Sequence, residues 1–278
     1  MEKYVFGTKI LRSMTLVSDP KLPDSNAPIV ELALSILFEP IVSVNDVHLG
    51  PFWWENRGSF PTVEPVQPIR SNSESFAFGT PFSGQNLTIE LLGEPETRLM
   101  MSSADGDWLC QLQRDRMVIN WRKINSYYPR YPAVRSKLES MWSSWCDFVL
   151  KIVGNAPVAT KWELIYVNKV TPTEHNLGWE KVLPGLFHAE LKQPTGGRLV
   201  GRRCQWVWDV ESLNTRLVVD SVPAKHGPDD SVILSLTARG ELSSSKSVWE
   251  SIDDAHELAV GFFRSVVSNE ILSQCKES

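Results

Sequence analysis

WLCQLQRDRMVINWRKINSYYPRY, residues 108 to 131, holds two strand-like runs, a charged bend and a helix start in one short span. WLCQLQ runs one way and MVINWRK runs back, with Arg114, Asp115 and Arg116 at the bend. Side chains alternate across a strand, so Arg116, Val118, Asn120 and Arg122 share one face while Met117, Ile119 and Trp121 share the other. The expectation is a hairpin with a polar, solvent-facing side and an apolar, core-facing side. Pro132 then suits the first turn of a helix, where its missing N–H is harmless.

Working outward from this hairpin, TRLMMSS reads as a strand that ends at the turn Ala104–Asp107. On the other side, Val134, Leu138, Met141, Trp142, Trp145, Val149 and Ile152 recur at three- and four-residue spacing and predict one apolar stripe along a helix ended by Gly154. Upstream, Val30, Leu32, Leu34 and Ile36 alternate with Glu31, Ala33 and Ser35 in a strand closed by Pro40. Asn45 or Asp46 can cap a helix that Gly50 and Pro51 shorten or break. Pro61, Pro65, Pro68 and Pro81 predict a long loop, with a short strand near Phe76.

The second half reads in the same order. TKWELIYVNKV is a strand with Trp162, Leu164, Tyr166 and Asn168 on one face. A short helical turn precedes Pro184. A Gly196-Gly197 turn suits a hairpin before CQWVWDV. TRLVVDSV and SVILSLTARGE are further strands. A final helix is capped by Ser251, with Asp253 and Asp254 at the positive end of its dipole and Ala255, Ala259, Phe262, Val266 and Glu270 along its rows. The fold class expected is therefore α+β: a tandem duplication of strand, short helix, antiparallel strands and long helix, with the helices on one face of the sheet. The boundaries are an extension at 1–27, a first repeat at 28–155 and a second at 156–278, the two joined in one unit.

Composition narrows the function. The 278 residues carry a net charge of −5, which argues against gripping nucleic acid as the main task. Cys110, Cys146, Cys204 and Cys275 form neither a CxxC pair nor the framework of a small secreted domain. The N-terminus lacks the apolar run of a signal peptide and no apolar stretch is long enough for a membrane span, so the expected location is the cytoplasm.

PIVELALSILFEP, LCQLQRDRMVINWRK, YPRYPAVRSKLESMW, ELIYVNKV, TRLVVDSV and DDAHELAVGFF, in that order, resemble a sporadically distributed family of uncharacterised, mostly bacterial proteins. The resemblance spans about Pro28 to Phe263 and rests on FEP, QxDR, NWR, YPRY and YVN. It implies no catalytic residues. The family's patchy occurrence implies mobile genes of the kind found in phage-defence and toxin–antitoxin loci.

Arg114, Asp115, Arg116, Asn120, Arg122 and Arg130 are the candidate ligand- or partner-binding residues. Between Leu112 and Lys137 seven basic side chains stand against the single acid Asp115, interleaved with Trp121, Tyr127, Tyr128 and Tyr131. Aromatics beside a basic groove are how single-stranded nucleic acid is held, so Arg116, Arg122 and Arg130 also carry a nucleic-acid reading. An ordinary hairpin with one wet face accounts for the same residues. His188, Glu190, His256 and Glu257 could assemble a metal-dependent hydrolase or nuclease site, although no HExxH, P-loop, GxSxG or GxGxxG motif accompanies them. No cofactor or bound metal is expected. The leading expectation is a non-enzymatic binding or interaction protein for a protein or small ligand, with a homo-oligomer possible.

Overall fold

The structure is a computed structural model that describes residues 27–41, 43–69, 97–171, 179–186, 195, 203–226 and 229–274. The first half supplies β1 (Ile29–Phe38), α1 (Asp46–Asn56), β2 (Thr62–Val66), β3 (Arg98–Ser102), β4 (Trp108–Gln113), β5 (Arg116–Arg122) and α2 (Tyr131–Val153). The second supplies β6 (Ala159–Val170), α3 (Trp179–Val182), β7 (Cys204–Val210), β8 (Thr215–His226), β9 (Asp229–Glu241), α4 (Val248–Val266) and α5 (Asn269–Gln274). The fold is α+β.

The strands form one sheet in the order β2-β3-β4-β5-β1-β6-β9-β8-β7. Every ladder is antiparallel. The long first strands of the halves, β1 and β6, lie together at the centre, with Leu34 opposite Leu164. The remaining strands of each half extend to opposite edges.

Helix α2 packs on β5 and β1, and α4 on β6 and β9. Between helices and sheet lies one continuous apolar core drawn from both halves, with Trp121, Trp145, Trp162, Phe52 and Phe60 fully buried. Helix α2 follows its predicted stripe, except that Phe148 is buried and Ile152 is exposed. It ends at Gly154 in the left-handed conformation, φ 81°, which a residue without Cβ adopts at no steric cost. Gly240 has a different reason: a Cβ there would lie 2.7 Å from the Asn214 carbonyl and 2.8 Å from the Trp162 ring.

Three expectations are corrected. Helix α1 runs unbroken through Gly50 and Pro51, because Phe52 is fully buried with its ring edge-on to Trp145 at 5.0 Å and Phe148 at 5.5 Å. Pro65 lies inside β2, an edge strand, where a missing N–H costs the sheet little. Helix α4 starts at Val248 and not beside Ser251; Ser247 caps it, its hydroxyl accepting from Glu250 N at 3.2 Å while the Glu250 carboxylate accepts from Ser247 N at 2.8 Å. Ser251 is buried in the first turn and donates to Ser247 O at 3.0 Å. Glu270 belongs to the separate α5.

The N-terminal extension through residue 26, the strand near Phe76, the Gly196-Gly197 turn, His175, His188, Glu190 and Cys275 lie outside the described residues. Among the described residues no helix is long and apolar enough to cross a membrane.

Candidate functional site

The hairpin forms as its sequence predicts, with Gln113 opposite Arg116 and Trp108 opposite Trp121. Its apolar side turns toward the helices: Met117, Ile119 and Trp121 are fully buried. The other side faces away from the described helices, yet it is not a wet surface. Arg116 is 2% exposed, Asn120 5% and Val118 5%. This corrects the expected solvent face.

Polar side chains on this face, Asn120 buried and Glu31, Gln111 and Arg98 half-buried, are joined in one direction across four strands. The Asn120 amide donates to Glu31 Oε1 at 2.6 Å, Gln111 donates to Asn120 Oδ1 at 2.8 Å, and Arg98 donates to Gln111 Oε1 at 2.8 Å. A carboxylate only accepts and a guanidinium only donates. The two amides between them therefore have a single orientation that satisfies every link. Across the other half of the sheet, Glu163, Arg239, Arg216 and Asp209 stand opposite one another on β6, β9, β8 and β7. Glu163 and Arg239 pair at 2.6 Å, and Arg216 and Asp209 at 2.7 Å. Asp209, by its hydrogen bonds, raises the Arg216 guanidinium above its ordinary value.

Five of the six candidate binding residues lie on this hairpin. At the bend, the Gln113 amide donates to Asp115 Oδ1 at 2.6 Å and the Asp115 carbonyl accepts from Phe38 N at 2.9 Å. At the far end of β5, Arg122 donates to the Gly106 carbonyl at 3.0 Å. The structure does not bring Arg130 to this face. Arg130 precedes α2 with φ 71°, beside Tyr128 and Tyr131 on the helix side.

That helix side holds a second polar cluster that sequence reasoning missed. The Tyr166 hydroxyl lies 3.2 Å from that of Tyr128 and 2.9 Å from His256 Nδ1. The Tyr131 ring stacks on His256 at 3.9 Å, and its hydroxyl donates to Asp253 at 2.5 Å. Arg135 donates to the same Asp253 oxygen at 2.9 Å. The cluster ties α2 of the first half to β6 and α4 of the second. Burial pushes the phenols of Tyr128, Tyr131 and Tyr166 above their ordinary range, so they keep their protons and act as hydrogen-bonding groups at neutral pH. Period-two alternation placed Tyr166 on the core face, but nothing local in the sequence pairs Tyr166 with His256, 90 positions away.

The other two readings fare unequally in geometry. Of the aromatics interleaved with the basic residues, Trp121 and Tyr131 are buried and Tyr128 is largely so, whereas Tyr127 is 68% exposed. Stacking surfaces for bases are thus mostly spent in the core. His256 is engaged by Tyr131 and Tyr166. Among the described residues no three His, Cys, Asp or Glu side chains are grouped as metal ligands. Comparison with family models, curated proteins and solved structures gives no match to this chain.

Proposed function

We propose that this chain is a non-enzymatic binding or interaction protein that receives a polar partner, a protein or a small ligand, on the face of the sheet turned away from its helices. The observation that carries the proposal is the directed chain from Arg98 through Gln111 and Asn120 to Glu31. Polar groups withdrawn this far from water add little net stability compared with apolar residues of the same shape. Their concentration on one face supports recognition as their purpose. The repeated order of elements supports descent by tandem duplication of one α+β unit. On the family resemblance, the protein is a cytoplasmic component of a bacterial defence or toxin–antitoxin type locus.

Native mass spectrometry of gently purified protein tests the reading. A non-covalent adduct of reproducible mass is expected on the wild type and on Lys151→Gln, and is expected to be lost from Asn120→Leu. Turnover of nucleotides or nucleic acid by the purified protein, abolished in His256→Ala, would replace this reading with the hydrolase one.

A further inference from the structure

The two ends of the sheet differ in what they offer a further strand. At one end β2 carries Pro65, which has no N–H to give and hinders strand addition there. At the other end β7 reads CQWVWDV, without proline, lysine or glycine and rich in the β-branched and aromatic residues that suit a strand. Its residues from Cys204 to Val210 all pair with β8 on the inner side, and among the described residues no strand pairs with its outer side. Gln205 and Asp209, on one face of β7, are exposed. Trp208, on the other face against Phe262 of α4 at 5.0 Å, is 38% exposed.

The order of these side chains is complementary to itself. A two-fold axis normal to the sheet lays a second β7 antiparallel to the first and keeps the helices of both copies on one face. With the axis at Val207 every residue of the strand is paired, and Val207 faces its own counterpart. Gln205 then lies opposite Asp209 of the second copy, and Trp206 opposite Trp208 of the second copy. The first pair sets an amide donor against a carboxylate; Asp209 accepts from Arg216, and a carboxylate can accept from more than two donors. The second pair extends an existing stack, since the rings of Trp206 and Trp208 lie 6.4 Å apart at 17°. Cross-strand pairs of both kinds stabilise an antiparallel ladder, and the symmetry makes each of them twice. Moving the axis to Trp206 sets Gln205 against Val207, and moving it to Trp208 sets Val207 against Asp209. Either shift also leaves two residues of β7 without a partner.

We propose that β7 is a homodimer interface, at which two copies of this chain join their sheets edge to edge with Val207 on the two-fold axis. The occupant of this edge is a second copy of the chain, whatever the polar face of the sheet binds.

Sedimentation velocity over a concentration series, with oxidative cross-linking beside it, tests the proposal. The wild type and Lys151→Gln are expected to be dimers at micromolar concentration. Gln205→Glu sets like charges opposite each other at two places in the interface. Its dimer is expected to be about tenfold weaker or worse and to recover in part at high salt, while the melting temperature of the dilute monomer stays close to that of the wild type. Val207→Cys is expected to give a disulfide-linked dimer under mild oxidation that the wild type does not give, because residues directly opposite on antiparallel strands lie within disulfide reach. A wild type that stays monomeric overturns the proposal and leaves this edge to the chain itself or to another partner. A dimer that ignores Gln205→Glu and gives no cross-link at position 207 overturns it as well, because the copies then meet elsewhere. Neither failure touches the reading of the polar face, which is judged by the adduct lost from Asn120→Leu.

Discussion

Trp121 and Arg122 are neighbours in sequence and opposites in structure. Trp121 is fully buried beneath the helices, packed on Tyr128 at 5.3 Å, with its indole N–H donating to Ser126 Oγ at 3.2 Å. Truncating it leaves a cavity that costs about 3–5 kcal/mol, a large part of a domain stability of about 5–15 kcal/mol. Trp121→Ala should therefore move the urea midpoint far down. Arg122→Ala removes one hydrogen bond from a half-buried side chain and should cost about 1 kcal/mol. If Trp121→Ala kept wild-type stability and lost the partner, the hairpin's apolar side would itself be a recognition surface. Asn120 gives a sharper test of the polar chain. Asn120→Asp would set a second carboxylate against Glu31, now 2.6 Å from the amide. Two carboxylates that close share a proton, so one of them titrates above the ordinary range. The variant should be unstable at neutral pH and regain stability as the pH falls into the carboxylate range, a trend readable from melting temperature against pH.

At the scale of elements, the strands and long helices were legible because alternation and helical spacing are strong signals when one face meets a core. The hairpin, α2 and the row Trp162–Tyr166 are of this kind. The start of α4 was misread for a local reason: Ser251 precedes a pair of aspartates, whereas Ser247 and Glu250 form the reciprocal cap three residues apart. Ser247→Ala should cost about 1 kcal/mol and fray the first turn, which amide exchange at Val248–Ser251 would report. The Ser247 N–H, and then its hydroxyl, hold the Glu250 carboxyl below its usual range. That contribution is present at neutral pH and is lost as the pH falls through the acid range. The edge strand β2 was hidden by Pro65, since sequence alone does not say which strand lies outermost. The candidate site was half legible: alternation grouped Arg116, Asn120 and Arg122 on one face correctly, but the burial of Arg116 and Asn120 is a tertiary property that no local pattern records. Arg98, on another strand, was not connected to them by any local pattern.

At the scale of the molecule, the halves are tied on the helix side by the cluster of Tyr128, Tyr131, Tyr166, His256, Asp253 and Arg135. Burial raises the three phenols. For an acid whose folded value is raised, the native state keeps its proton while the unfolded chain loses it. Stability is therefore full below the ordinary tyrosine value of about 10 and declines above it. The protein should unfold cooperatively in alkali, with phenolate absorbance from these tyrosines appearing together with loss of helical signal. A gradual phenolate rise that precedes unfolding would show that the cluster is open to water.

The central pairing of β1 with β6 also sets a timetable for synthesis. β1 is complete at residue 38, yet its second neighbour begins at residue 159. At about 5–20 residues per second on the ribosome, on the order of ten seconds pass in which the first half can assemble against β5 while the opposite side of β1 stays open. An open, apolar strand edge invites pairing with other chains. The nascent first half is thus the species most in need of a chaperone, and a chain halted just before β6 should aggregate where the full-length product does not.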